Sequence, residues 1–341
     1  MSAMNRSARI VAIAAGLVLA AIASAPPALA ERGHGGSTQT DGGEQDGELS
    51  ATATSITFDT SQNGTGKTTG AVTPVGNWTP PACWYEPKWS PKEFKAYVEP
   101  IWEAGSTGYE WDAQQRERYE GGKPYKDFNL DKQGKGHWWS SQTNPDRIGD
   151  PGALDCDKPY FWVDTGEPPN VENAVTPEIL AQLAYDKIRV PDTTVELSPQ
   201  GKQTVNLATW AWLDQARFKP VKVTASLDAL NLSATTTARP VSLKLEPGTK
   251  DATLHPGSGE CPIGDDGRIG SPYTKGKGKQ TPPCGLTYLR ASADGSPYEF
   301  NATLTWEISW EGSNGQGGDL PNGTFGTTTD VTVQEVQAIN R

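Results

Sequence analysis

Methionine, histidine and cysteine are nearly missing from this chain. Its 341 residues include 2 Met, 3 His and 4 Cys. Both methionines, Met1 and Met4, sit at the very start. His34, His137 and His255 are too few and too scattered for a zinc centre, which wants closely spaced Cys or His pairs. A Ser-His-Asp arrangement would need His137 or His255, and no nucleophile elbow accompanies either. Positive charge is also short. With 30 Lys+Arg against 41 Asp+Glu, the net charge is -11 and the pI about 4.9. That balance excludes a nucleic-acid backbone or an anionic membrane surface as the main partner. The phosphate-loop signature is incomplete. Gly64-Thr65-Gly66-Lys67-Thr68 ends like one, but Ser61 stands where the motif needs Gly, and neither strand nor helix signals flank it. No nucleotide or other cofactor is expected.

Hydrophobic residues make up only 35% of the chain, and its long uncharged apolar run is Ile10–Ala25, short for a membrane span. Arg6 and Arg9 precede this run, and Ala28-Leu29-Ala30 follows as a small-x-small cleavage site before Glu31. Residues 1–30 therefore read as a secretory signal peptide. The mature protein is expected to be secreted, extracellular or associated with the cell wall, without membrane insertion after cleavage. In an oxidising place an even set of cysteines implies disulfides. Three pairings of Cys83, Cys156, Cys261 and Cys284 are possible. Cys83 with Cys156 and Cys261 with Cys284 suits two independent domains, each bridge contributing roughly 3–4.5 kcal/mol by loop closure.

Residues 31–75 are rich in Gly, Ser, Thr and Asp, with few large apolar groups, and are expected to form a disordered polar tail. Residues 76–190 are expected to form a Trp-rich, disulfide-closed, irregular α+β domain with two helices. The first is announced by Ser90-Pro91-Lys92-Glu93, an N-cap, a first-turn proline and a capping-box glutamate. Phe94, Tyr97, Val98, Ile101 and Trp102 follow at helical spacing, and Pro100 should shorten or kink the helix. The second begins at Thr176-Pro177-Glu178. From residue 191 the period becomes two. Val221 to Leu227, Val241 to Leu245 and, most clearly, Tyr298 to Trp310 alternate apolar and polar residues. Val331, Val333 and Val336 suggest a last strand with a bulge at Gln334–Glu335. Short alternating strands separated by turn residues make residues 191–341 an antiparallel, Ig-like β-sandwich, so the chain is expected to be mainly β.

The order Thr176–Leu180, Asn206-Leu207-Ala208-Thr209-Trp210-Ala211-Trp212, Pro282–Tyr288 and Tyr298–Trp310 resembles a family of secreted actinobacterial proteins with a C-terminal PKD/Ig-like sandwich. Pro80–Pro87 matches one branch of that family. The resemblance covers roughly residues 80–341 and implies no established activity. Some members carry the names "ATP/GTP-binding" or "enoyl reductase", which the incomplete phosphate loop and the lack of a dinucleotide fingerprint do not support. The PKD hallmark Trp-Asp-Phe-Gly-Asp-Gly is replaced here by Leu243-Lys244-Leu245-Glu246-Pro247-Gly248.

Three function classes compete. A non-enzymatic binding or scaffold protein of the cell surface, with a cell-surface protein or wall polysaccharide as partner, leads. A polysaccharide binder would use Trp-rich surface, with Trp84, Trp89, Trp138 and Trp139 as candidate contacts. A carboxylate-dependent glycoside hydrolase would draw on Glu86, Glu103, Glu110 and Asp112, which lie among the tryptophans. Asp127-Phe128-Asn129-Leu130-Asp131 opens like a calcium loop, but Lys132 and Trp138 stand where that loop wants Gly and Glu.

Overall fold

Alternation along four long segments builds the main sheet. The computed structural model describes residues 37–38, 54–65, 69–105, 108–213, 218–264 and 267–336. The expected signal peptide lies outside these residues. The elements used below are β1 (Cys83–Trp89), α1 (Pro91–Glu103), α2 (Tyr109–Tyr119), β2 (Gly136–Thr143), β3 (Phe161–Asp164), α3 (Pro177–Asp186), β4 (Ala208–Trp212), β5 (Val221–Leu227), β6 (Leu232–Glu246), β7 (Ala252–His255), β8 (Gly285–Tyr288), β9 (Tyr298–Gly312) and β10 (Gly317–Val331). The main sheet runs Thr57–Gln62, β5, β6, β9, β10, Thr73–Pro74, all antiparallel, with Glu260–Pro262 paired to the far end of β6. In β9 Phe300, Ala302, Leu304, Trp306, Ile308 and Trp310 are buried, while the residues between them reach solvent. A one-residue slip would put Glu299, Glu307 and Glu311 inside, so the pattern locks the register.

Two different lids cover that apolar face. A second antiparallel sheet, β7-β8-β4-(Glu196–Ser198), covers one part. The Cys261–Cys284 disulfide ties it to the main sheet, and Tyr288 of β8 stacks on Tyr298 of β9 with ring centroids 5.5 Å apart. Helix α3 covers the other part, lying over β5, β6 and β9. Its Ala181 carbonyl accepts a 2.8 Å hydrogen bond from the Thr236 hydroxyl, the polar member of the buried row on β6. The chain is thus mainly β and sandwich-like, as its alternation implies.

The Trp-rich unit is a sheet buried on both faces. β1, β2 and β3 pair antiparallel, and successive side chains on a strand point to opposite sides. Trp138 points to a small aromatic core with Phe94, Trp102, Tyr119 and Phe128, while Trp139 joins Trp84 and Tyr85 in the large core shared with the sandwich. The Cys83–Cys156 disulfide closes this unit, so both expected pairings are formed. Among the described residues no helix is long and apolar enough to cross a membrane.

Five expectations need correction. Residues 54–75 are not a tail. Thr57–Gln62 and Thr73–Pro74 flank the main sheet, Thr69–Ala71 pairs with Arg189–Pro191, and Ile56 and Val72 are buried. The division between 76–190 and 191–341 does not separate two cores, because α3 and Trp139 belong to the sandwich core. The unit has a third helix, α2, whose sole buried residue is Tyr119 and which therefore lacks an apolar period. Helix α1 runs past Pro100 to Glu103. The final β pairing breaks at Thr332 rather than at Gln334–Glu335. Val333–Gln334 pairs in parallel with Gln203–Thr204, and Val336 is exposed.

Candidate ligand-binding groove

The four tryptophans offered as a binding surface are core residues. Trp84, Trp89, Trp138 and Trp139 are 2%, 8%, 0% and 1% exposed. In a unit so poor in Leu and Ile these indoles supply the apolar area a core needs. The Trp138 indole donates to the Phe128 carbonyl at 3.1 Å. Buried to that degree, none of the four can offer a ring face for a sugar to stack on, and Trp139 alone adds a little apolar surface to the groove described below.

The hydrolase carboxylates are also dispersed. Glu86 has no exposed surface. Its carboxylate accepts from the Thr54 hydroxyl at 2.7 Å, the Ser55 amide at 2.5 Å and the Trp84 indole at 2.8 Å. Burial pushes its carboxyl above the usual range, and the three donors oppose that shift without cancelling it. Its role is to clamp Thr54 and Ser55 onto β1. Glu103 closes α1, while Glu110 and Asp112 open α2. None of these four lines the groove described next. The calcium-like segment forms no EF-type loop, and among the described residues no group of three or more His, Cys, Asp or Glu could hold a metal ion. The phosphate-loop-like segment lies partly outside the described residues. Gly64 is packed against Pro191, and its amide donates to the Arg189 carbonyl at 2.8 Å.

A groove of about 1070 Å³ opens where the Trp-rich unit meets the sandwich. One wall is the end of β3 and the loop behind it, from Val163 to Pro169. The other is the first turn of α3 with the tight turn Asp228–Leu232 that joins β5 to β6. Trp139, Val175, Pro177 and Ile179 contribute apolar surface between them. Each wall has a local cause. The Thr176 hydroxyl caps α3 by accepting from the Ile179 amide at 3.2 Å, and Pro177 follows at the first helical position. The β5–β6 turn closes through Asn231 at φ 51°, a left-handed position that Asn tolerates. The segment leading into α3 is stitched to β1, since the Tyr85 amide donates to the Asn173 carbonyl and the Val175 amide donates to the Tyr85 carbonyl, both at 2.9 Å.

The charge lining this groove has one sign. Asp164, Glu167, Glu178 and Asp228 line it together with His137, and among the described residues no Lys or Arg does. Asp164 accepts from the Trp162 indole at 2.9 Å and pairs with Lys132 at 3.4 Å. The indole hydrogen bond, with Lys132 beside it, holds that carboxyl below its usual range. Chemically the groove can hold an extended chain by apolar contact along its floor and by charge along its rims. Nothing in the sequence marks it, because its lining comes from β2, β3, α3 and the β5–β6 turn, brought together only by folding.

No family model, curated protein or solved structure matches this chain.

Proposed function

We propose that this is an exported, non-catalytic binding protein of the cell surface or wall, and that the groove holds its partner. The observation that carries this reading is the groove's size and lining. Its volume stands at the upper end of the few hundred to about 1,000 Å³ usual for small-molecule sites. Among the described residues it also presents four carboxylates and no Lys or Arg. A lining of that size and sign complements an extended polypeptide segment bearing lysine or arginine, presented by another cell-surface protein. The two disulfides suit an extracellular setting, and the resemblance to secreted actinobacterial proteins agrees with it. The sandwich then serves as a rigid frame, a role that many such folds share.

The test is retention on isolated envelope. Mature protein should be retained, with retention falling as salt rises, because rim charges are screened beyond roughly 10 Å at 0.1 M salt. Combining Glu167→Lys with Asp228→Lys changes two exposed rim residues and should weaken retention at least tenfold while the melting temperature stays the same. Equal retention of the double variant overturns the groove as the site. Full retention on protein-stripped wall polymer would move the partner to the polysaccharide. Release of sugar from that polymer by the protein would replace binding with hydrolysis.

A further inference from the structure

We infer that a second, smaller hollow on the opposite face of the Trp-rich sheet is a saccharide-binding site. It encloses about 570 Å³ between the segment Pro124–Lys132 and the ring of Trp162, room for one or two sugar rings. Its lining combines a planar aromatic wall, Trp162 and Tyr125, with short polar side chains, Asp127, Asn129 and Asp131. Sugars offer an apolar C–H face beside a ring of hydroxyls. They are therefore bound by an aromatic face together with amide and carboxylate groups that fix the hydroxyls.

Asn129 points to a ligand most directly. It lines the hollow, is only 7% exposed, and its amide nitrogen has no hydrogen-bond partner. A buried donor left unpaired is costly, and native proteins rarely keep one. A sugar hydroxyl would satisfy it once the side chain turns its nitrogen, which is covered in the free protein, toward the hollow. The backbone that carries this side chain is pinned. The Asn129 backbone amide donates to the Lys126 carbonyl at 2.9 Å. The preceding Phe128 is buried against Trp102, with its carbonyl engaged by the Trp138 indole. Trp162 is equally fixed. Gly136 lies against its ring, where a Cβ would come within 2.7 Å, and its indole nitrogen donates to Asp164. The Trp162 amide meets the Tyr125 hydroxyl at 3.3 Å, which sets the two aromatic walls relative to each other.

A cation fits the hollow less well than a neutral polyol. The unpaired atom is a donor, and Lys126 and Lys132 share the lining with the two aspartates. This site is separate from the groove and does not depend on it.

The experiment uses the mature protein with cellobiose, maltose and N,N′-diacetylchitobiose as probes. Binding is read by saturation-transfer NMR and by tryptophan fluorescence. At least one disaccharide should bind in the millimolar range or tighter. Asn129→Gly keeps the left-handed backbone and removes the amide, and Asp131→Ala alters an exposed rim residue that the fold does not need. Each should weaken binding at least tenfold, whereas the groove double variant should leave it unchanged. Failure of all three sugars to bind overturns the proposal, as does binding that survives in both Asn129→Gly and Asp131→Ala. A melting temperature raised by calcium chloride alone, and by none of the sugars, overturns it in favour of a metal site.

Discussion

Glu86 is a carboxylate held entirely inside the protein by three donors, and its titration is a signature of the native fold. Its folded pKa is raised by burial, against about 4.3 in an unfolded chain. Over the window between those two values the folded state binds the extra proton, so stability falls as pH rises through it. Urea unfolding from pH 4 upward should show this downward component, and Glu86→Gln should abolish it. A variant with the same slope as wild type would place the effect elsewhere. Glu86→Gln should also be less stable at low pH, because its amide sets an N–H against the Ser55 N–H. At this scale the sequence was legible in residue type and silent on orientation. Trp138 and Trp139 are adjacent in sequence, yet they enter different cores because neighbours on a strand face opposite ways. Composition could say that tryptophan would fill a core but could not say that both faces of β2 are covered. Asp127, Phe128 and Asn129 take φ of 44°, 55° and 56°, roughly 1–2 kcal/mol each for L-residues. Only the buried Phe128 ring and its engaged carbonyl explain why that strain persists, and neither can be seen in the string of letters.

Helix α3 shows what local signals can and cannot establish at the scale of an element. Thr176-Pro177-Glu178 announces its start, and the structure confirms the cap. What the helix covers was not legible, because the strands beneath it lie dozens of residues later in the chain. Thr176→Ala should cost about 1 kcal/mol, as for loss of an N-cap hydroxyl. The urea midpoint should fall with an unchanged slope, since the same surface is exposed on unfolding. A neutral substitution would mean that the packing of Leu180, Ala181 and Ala184 on the sheet holds the first turn without its cap. Helix α2 went unseen for the complementary reason. It has no apolar stripe and owes its place to Tyr119, buried among Phe94, Trp138 and Tyr160. The alternation marks only Val241 to Leu245 of the longer strand β6, because a bulge between Pro240 and Ser242 shifts its phase by one residue. Both sides of that bulge still bury their apolar members, Ala238 before it and Leu243 after it.

The whole molecule is held together from its N-terminal end, contrary to what its composition suggests. A polar segment poor in large side chains need not have a core of its own when it can borrow a sheet's free edges. Thr57–Gln62 and Thr73–Pro74 close the two edges of the main sheet, so residues 54–75 protect strands that would otherwise present unpaired backbone. Removing residues 31–75 should therefore be severe. Ile56 and Val72 each lose a burial worth about 1.5–3 kcal/mol. Glu86 loses two of its three hydrogen bonds, at about 1–3 kcal/mol. The sum is at least about 4 kcal/mol, a large part of the 5–15 kcal/mol typical of a native domain. At about 2–4 °C per kcal/mol for a chain of this size class, the melting temperature should fall by roughly 8 °C or more. The same reasoning applies to residues 191–341 alone. That fragment keeps β5, β6 and β9 but loses α3 and both edge strands, leaving uncovered the part of the sheet around Thr236 and Gly312 on which α3 lies. It should bind a hydrophobic dye and lack a cooperative unfolding transition, whereas the chain from residue 54 onward should unfold in one step. A fragment 191–341 that unfolds cooperatively, or a deletion of 31–75 with an unchanged melting temperature, would show that α3 and the edge strands rest on a sandwich already stable without them.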